Sequence, residues 1–215
     1  MGEFSDALNE ISKLLQKGKA KDLVSAVEKA LGEGIPPKDI LEKGLISGMA
    51  VTGVKFKKGR IFVPEVLIAA RAMNYASAAL KPALVEAGMK PIGKAVICTV
   101  KGDLHDIGKN IVKMMIEGRG IETLDLGVNC PVEKIIETVR NSDALVLCLS
   151  ALLTTTMRGQ KEVIDALKAA GLRDKVKVMV GGAPVSQGYA NLIGADAYAP
   201  DAAAAAEVCR AFYGD

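Results

Sequence analysis

Two rhythms of apolar and polar positions divide the chain. Through residues 5–88, apolar side chains recur every three or four positions, the spacing of amphipathic helices. Leu8, Ile11, Leu14 and Leu15 form one stripe; Leu23, Val27 and Leu31 form a second, ended by Gly32 and Gly34. Pro36-Pro37 followed by Asp39 opens a third helix through Ile40, Leu41, Leu45 and Met49. The stretch from Phe56 to Pro64 turns the chain into a fourth, through Val66, Leu67, Ala70, Met73 and Leu80. Short loops between consecutive helices predict antiparallel neighbours, hence a small four-helix bundle. From residue 94 the rhythm changes to short apolar runs alternating with amphipathic segments. Strands are expected at 94–100, 121–126, 143–149, 175–180 and 195–199, and helices at 108–118, 131–141, 155–171, 185–193 and 201–213. The runs 94–100 and 143–149 are almost continuously apolar, as in strands covered on both faces. Five such units predict an α/β domain with a doubly wound, Rossmann-type parallel sheet of five strands in the flavodoxin-like order 2-1-3-4-5. Gly88-Met89-Lys90-Pro91-Ile92-Gly93 reads as the linker, which gives a helical domain over 1–90 and an α/β domain over 91–215.

Composition narrows the function classes. The chain has 215 residues, half of them hydrophobic, with few aromatics and no Trp, so its core is aliphatic. A net charge of +3, with acids and bases interspersed, gives no electrostatic footprint for nucleic acid or for a membrane surface. No apolar run reaches the roughly 18 residues of a transmembrane helix, and no signal peptide is visible, so a cytoplasmic protein is expected. Cys98, Cys130, Cys148 and Cys209 show no paired spacing and read as reduced, buried thiols rather than zinc ligands.

The candidate chemistry lies in Lys-Gly-Asp-Leu-His-Asp-Ile-Gly-Lys, residues 101–109, between the first strand and the first helix of the α/β half. His105 is the only histidine. Asp103 stands two positions before it, and in an extended loop such residues point the same way. The carboxylate can then accept the N–H of one ring nitrogen and leave the other for a metal, which fixes the tautomer and raises ligand basicity. An arbitrary Asp–His pair is most often a hydrogen-bonded surface pair, and one histidine cannot build a zinc site alone. Position favours a ligand role: in the order 2-1-3-4-5 the switch-point crevice lies between strands one and three, whose following loops begin at Lys101 and Ser150. The hydroxyl cluster Ser150-Ala151-Leu152-Leu153-Thr154-Thr155-Thr156 would ordinarily cap the next helix. Gly181-Gly182 would ordinarily make a strand-to-helix turn. Lys101 and Lys109, flanking the His loop, read as solvated charges.

Taken together, Asp-x-His-x-x-Gly, 41 intervening residues, Ser150-x-Leu152, 28 intervening residues and Gly181-Gly182 resemble the signature of cobalamin-binding modules. The resemblance covers nearly the whole chain, since Gly48-Met49, Phe56 and Ile61 to Val66 are similar to the helical cap that precedes the module in methionine synthase. It implies cobalamin, or a related corrinoid, bound with its benzimidazole detached and His105 ligating cobalt from below. It further implies that Gly102, Asp103, Leu104, His105, Asp106, Ile107 and Gly108 contact the cofactor. Ser150, Leu152 and Thr154 would line the slot for the displaced nucleotide tail. Glycine at 181 and 182 would let a flat ring enter between strands. Thr156 would complete a hydroxyl–Asp103–His105 relay, Ala202 would make a backbone contact, and Phe56, Val63 and Val66 would cover the upper corrin face.

By the same resemblance the expected role is a corrinoid methyl carrier. Such a protein holds a methyl group on cobalt (methylcobalamin in the loaded state) between a substrate-specific methyltransferase and a second one that serves tetrahydrofolate or a thiol. A reductive activating protein is an expected third partner. No residue is assigned a catalytic role beyond the tuning pair Asp103 and Thr156, and the protein is not expected to turn over alone. The alternatives are the cobalamin-binding part of an adenosylcobalamin mutase, which lacks this cap, and a cobalamin-dependent sensor, which would add a DNA-binding domain. A flavodoxin-like domain without a metal is the plainest rival.

Overall fold

The structure, a computed structural model, describes residues 4–88 and 91–214, so Met89 and Lys90 of the expected linker lie outside the described residues. The chain divides into two compact units at Pro91/Ile92. In the first, α1 (Ser5–Gln16) and α2 (Ala20–Gly32) bury one stripe each, Leu8, Ile11 and Leu15 in α1 and Leu23, Val27 and Ala30 in α2. The third helix, α3, spans residues 37–57. It opens with an α-helical turn at Pro37–Asp39, runs π-helical over Ile40–Ile46, and returns to α-helix over Ser47–Lys57. The π stretch was not foreseen, because apolar spacing does not distinguish the two helix types over seven residues. The fourth, α4 (Val63–Glu86), starts with Pro64 in its first turn and with the Glu65 carboxylate accepting the backbone N–H of Phe62 at 3.0 Å. Its buried row is Val66, Ala69, Ala70, Met73, Ala76 and Leu80, and it packs on α2. The four expected helices are all present.

The second unit is a five-stranded parallel sheet in the order 2-1-3-4-5, as the sequence predicts. Its elements are β1 (Gly93–Thr99), α5 (Ile107–Glu117), β2 (Ile121–Asp125), α6 (Val132–Asn141), β3 (Val146–Ser150), α7 (Arg158–Ala169), β4 (Lys177–Gly181), α8 (Gln187–Ile193), β5 (Ala197–Tyr198) and α9 (Ala202–Ala211). Alternation sorts the strand side chains between two faces. Val96, Cys98 and Val100, with Leu147, Leu149, Val178 and Val180, pack under Ile135 and Val139 of α6, Val163, Ile164 and Leu167 of α7, and Ala190 and Ile193 of α8. The opposite face belongs to α5 and α9, which pack on each other. After α9, the Tyr213 hydroxyl donates to the carbonyl of Lys94 at the start of β1, and burial pushes its pKa up to about 12.

The third and fifth strands depart from their expected bounds. β3 begins at Val146 rather than 143, because Asp143 turns outward to meet Lys94 at 2.9 Å. β5 is a two-residue strand, since its pairing with β4 is confined to Met179↔Ala197 and Val180↔Tyr198. All four cysteines are free and buried.

Candidate functional site

The site is built where β1 and β3 end. Register aligns Thr99 with Ser150 and Ser150 with Gly181, so one rung at the C-terminal ends of three strands carries two hydroxyls and a glycine. The next rung down on the same face is Ile97, Cys148 and Met179. From Thr99 the chain runs out as an irregular loop to α5. Gly102, in the left-handed region at φ +82°, turns it back so that Asp103 points inward.

Asp103 is wholly buried and accepts four hydrogen bonds. Its Oδ1 accepts the backbone N–H of His105 at 3.0 Å and the ring Nδ1–H of His105 at 2.7 Å. Its Oδ2 accepts the backbone N–H of Leu152 and the hydroxyl of Thr156, both at 2.7 Å. Burial alone would push the carboxyl's pKa up. Hydrogen bonds from Thr156, from the His105 and Leu152 backbone and from the His105 ring outweigh that and hold it well below the usual carboxylate range. An ionised carboxylate only accepts, so Nδ1 must carry a ring proton, and in the neutral ring the lone pair is then on Nε2. The backbone of this loop is held as well: Thr99 Oγ1 donates to the carbonyl of His105 at 2.9 Å.

The His105 ring is 50 % exposed. Leu104 and Ile107, each 71 % exposed, flank it in sequence, and Leu152 and Leu153 stand exposed on the β3–α7 loop that Asp103 ties to the same place. Four large apolar side chains left in water around one imidazole make an incomplete surface. Asp106 accepts the side-chain N–H of Asn110 at 3.1 Å, a local bond at the start of α5. Nothing lies within 4 Å of where a Cβ on Gly108 would stand, so the protein itself does not require glycine there. Among the described residues, the hydroxyls of Ser150 and of the exposed Thr154 have no hydrogen-bond partner. Ala202 is the buried first residue of α9, whose N-terminus Asp201 caps through the Ala204 N–H at 2.8 Å.

Several expectations need correction. The hydroxyl cluster does not cap α7: Met157 stands at the N-cap without a side-chain bond, because the Thr156 hydroxyl is drawn to the charged Asp103 instead. Gly182 is demanded by the chain itself. Its φ is +126°, and a Cβ there would stand 1.8 Å from the carbonyl oxygen of Ala151. Gly181 is less constrained, with a Cβ position 3.2 Å from the Ala199 oxygen. Lys109 is not solvated. Its side chain is 2 % exposed, and its ammonium lies 2.7 and 2.8 Å from the two carboxylate oxygens of Asp125 and 2.8 Å from Asn110 Oδ1. Among the residues expected to cover a cofactor from the helical unit, Phe56 in α3 and Val63 in α4 are half-buried, but Val66 is fully buried and offers no surface to a ligand in this conformation.

One residue went unnoticed in the sequence. Asn129, in the loop after β2, accepts the Gly102 N–H through Oδ1 and donates its own N–H to the carbonyl of Asp103, both at 2.8 Å. The available signal was weak: an asparagine, which tolerates left-handed backbone, in a loop between Gly127 and Pro131.

A parallel sheet of this order, with a half-exposed imidazole held by a buried carboxylate at its switch point, has the form of a domain that binds a ligand at the C-terminal ends of its strands. Comparison with known proteins names the cofactor. The family described as B12 binding domain matches residues 93–208, and a second family of the same description matches residues 7–81. Dimethylamine corrinoid protein 3 of Methanosarcina acetivorans is 44 % identical over 205 residues, covering 95 % of this chain and 96 % of the relative. Among solved structures, a cobalamin-binding protein from Desulfitobacterium hafniense aligns with a TM-score of 0.82 at 32 % identity, covering 95 % of this chain and 98 % of that one. A chain of the methanol:cobalamin methyltransferase complex MtaBC from Methanosarcina barkeri aligns with a TM-score of 0.86 at 32 % identity, covering 98 % of this chain and 81 % of that one. The chain belongs to the B12-binding domain family, and its cofactor is cobalamin or a related corrinoid. The residues present fit that group: a half-exposed imidazole bonded through Nδ1 alone, exposed apolar side chains beside it in sequence, and hydroxyls on the next strand end and loop with no hydrogen bond among the described residues.

Proposed function

We propose that this protein is a methyl carrier, that it holds its corrinoid with His105 as the lower ligand and the benzimidazole detached, and that it passes a methyl group between two methyltransferases. The observation that carries the ligand assignment is the saturated carboxylate of Asp103, which compels Nδ1 to be the protonated nitrogen and leaves Nε2 free on a half-exposed ring. The carrier role is supported by relatives named for dimethylamine corrinoid proteins and for a methanol:cobalamin methyltransferase complex.

The bound corrinoid supplies the chemistry of accepting and releasing a methyl group; the chain's residues bind it, orient it and set the state of the lower ligand. His105 presents Nε2. Asp103 holds the ring and stabilises a proton on Nδ1. Thr156 fixes the second oxygen of Asp103, so the carboxylate cannot swing away from the ring. Leu104, Ile107 and Leu152 give apolar contact, while Ser150 and Thr154 meet polar atoms of the displaced tail, with Gly102, Asp106, Gly108, Gly181, Gly182 and Ala202 contributing backbone or open space. Gly108 supports this reading, since no protein neighbour accounts for the missing side chain. Phe56 and Val63 remain the proposed contacts from the helical unit.

No group for activating a methyl–nitrogen or methyl–oxygen bond is assigned among these residues, because the single histidine is committed as the lower ligand and the proposed contacts from the helical unit, Phe56 and Val63, are apolar. A substrate-specific methyltransferase supplies that group, a second methyltransferase takes the methyl onward to tetrahydrofolate or a thiol, and a reductive activating protein restores the reduced cofactor. The test mixes reduced holo-protein with isotopically labelled dimethylamine or methanol, with and without a methyltransferase specific for that substrate. The carrier reading expects label on the bound corrinoid only when the methyltransferase is present. Rapid labelling without any added protein overturns it.

A further inference from the structure

We propose that Asn129 is a positioning residue for the metal ligand: from the neighbouring loop it clasps the Gly102–Asp103 segment that leads into His105, so that the loop is set before the corrinoid arrives. The inference rests on the reading of His105 as the lower ligand.

Asn129 is the only non-glycine with positive φ (+47°) among the described residues. Asparagine is one of the few side chains that tolerate that region, and its use at this one place is explained by what the conformation achieves. It lets a single residue bond both ways to the His loop. The side-chain oxygen accepts the Gly102 N–H and the backbone N–H reaches the Asp103 carbonyl, each at 2.8 Å. Regular strand pairing has already ended there. Cys130 N–H reaches the Thr99 carbonyl at 3.1 Å and Thr99 N–H reaches the Gly127 carbonyl at 2.9 Å, so residues 127–130 run beside 99–103 as a ragged continuation of the β1–β2 pairing. Without Asn129 the Gly102–Asp103 unit, which turns Asp103 inward, would keep only the bond from Asp103 N–H to the Val100 carbonyl at 3.2 Å as backbone support within its own loop. The base of the clasp is also anchored. Asp125, at the end of β2, accepts the Gly127 N–H at 2.9 Å and pairs with buried Lys109 in the first turn of α5. The loop that holds the His segment is thus tied at one end to the helix that the His segment leads into.

Three variants separate the two bonds. Asn129→Gly keeps the backbone conformation and the bond to Asp103 but loses the acceptor for Gly102. Asn129→Asp keeps an acceptor oxygen. Asn129→Ala loses the acceptor and strains the backbone. Binding of aquocobalamin to the full-length apo-protein is measured by absorbance titration for each, alone and combined with His105→Ala. Asn129→Asp should stay within about two-fold of the parent, Asn129→Gly should weaken binding about five-fold, and Asn129→Ala should weaken it about ten-fold or more. In the His105→Ala background most of each loss should disappear, because the ligand through which Asn129 chiefly acts is gone. In the apo-protein, amide exchange at Gly102 should be slow in the parent and in Asn129→Asp and fast in Asn129→Gly, which reads the clasp independently of cofactor. Losses that persist in full beside His105→Ala, or a Gly102 amide equally protected in Asn129→Gly, overturn the proposal. If His105→Ala alone changes neither affinity nor spectrum, the assignment of His105 as ligand fails instead, whatever Asn129 does.

Discussion

Asp103→Asn changes almost no volume and removes one acceptor from a group that receives four bonds. The amide oxygen can serve the donors on one side, but the amide NH2 must then face the donors on the other. If NH2 takes the place of Oδ2, it meets the Leu152 N–H head-on, while Thr156 can turn its proton to the Leu153 carbonyl, 3.0 Å away. If it takes the place of Oδ1, it meets the His105 N–H, and the ring must accept at Nδ1 and carry its proton on Nε2. Either way one backbone N–H beside a buried group loses its acceptor, and the bonds that remain lose their charge assistance. Together these should cost the apo-protein about 2–4 kcal/mol. The sign with pH follows from the lowered pKa of Asp103. Its stabilisation is complete above the unfolded carboxyl's pKa of about 3.9 and fades as pH falls from there towards the lower folded value. The gap between parent and variant should therefore be full at pH 7 and narrow below about pH 4. Urea denaturation of both apo-proteins at pH 7 and at successive values down to pH 3 measures this. Corrinoid affinity of the variant at pH 7 should fall about 10- to 100-fold. A loss below about 0.5 kcal/mol at pH 7, or one that does not change with pH, would refute the account of the four-bonded carboxylate.

At Thr156, serine should behave as the parent, whereas valine, which cannot donate to Asp103, should cost about 1–3 kcal/mol by urea denaturation. The Lys109–Asp125 pair should respond unequally. Lys109→Met leaves a partly exposed carboxylate with Lys113 still 3.5 Å away, while Asp125→Asn strands a buried ammonium and should cost about 3 kcal/mol, clearly the greater loss. Equal losses would show that the lysine can reach water. Gly182→Ala should cost about 3 kcal/mol or more in thermal or urea unfolding, even without cofactor, because the Ala151 carbonyl occupies the place of its Cβ.

How much of this was legible in the chain depended on the distance over which each feature is written. The sheet order followed from local signals, apolar runs such as Ala95 to Val100 separated by helical stripes, and topology rules supplied the rest. The Asp103–His105 bond was legible because two positions separate the partners. Thr156 lies 53 residues from Asp103, and only the resemblance to a family pointed at it; the bond then removed the hydroxyl from the capping role that local rules assign. Lys109 was misread for the same reason: a lysine beside a glycine and an asparagine looks solvated until the fold brings the end of β2 to it. Gly182 was foreseen but for another cause, since no sequence rule reveals that the Ala151 carbonyl would press on it. Asn129 carries no motif, and its importance lies in a backbone angle and two partners in another loop.

The central claim is that His105 Nε2 ligates the cobalt of the bound corrinoid. Electron paramagnetic resonance of the cobalt(II) holo-protein, prepared with natural-abundance and with nitrogen-15 histidine, tests it directly. The account predicts nitrogen splitting on the high-field lines that changes from the three-line pattern of nitrogen-14 to the two-line pattern of nitrogen-15 when histidine alone is labelled. Splitting that ignores the label, or its absence, would contradict the assignment of His105 as the lower ligand.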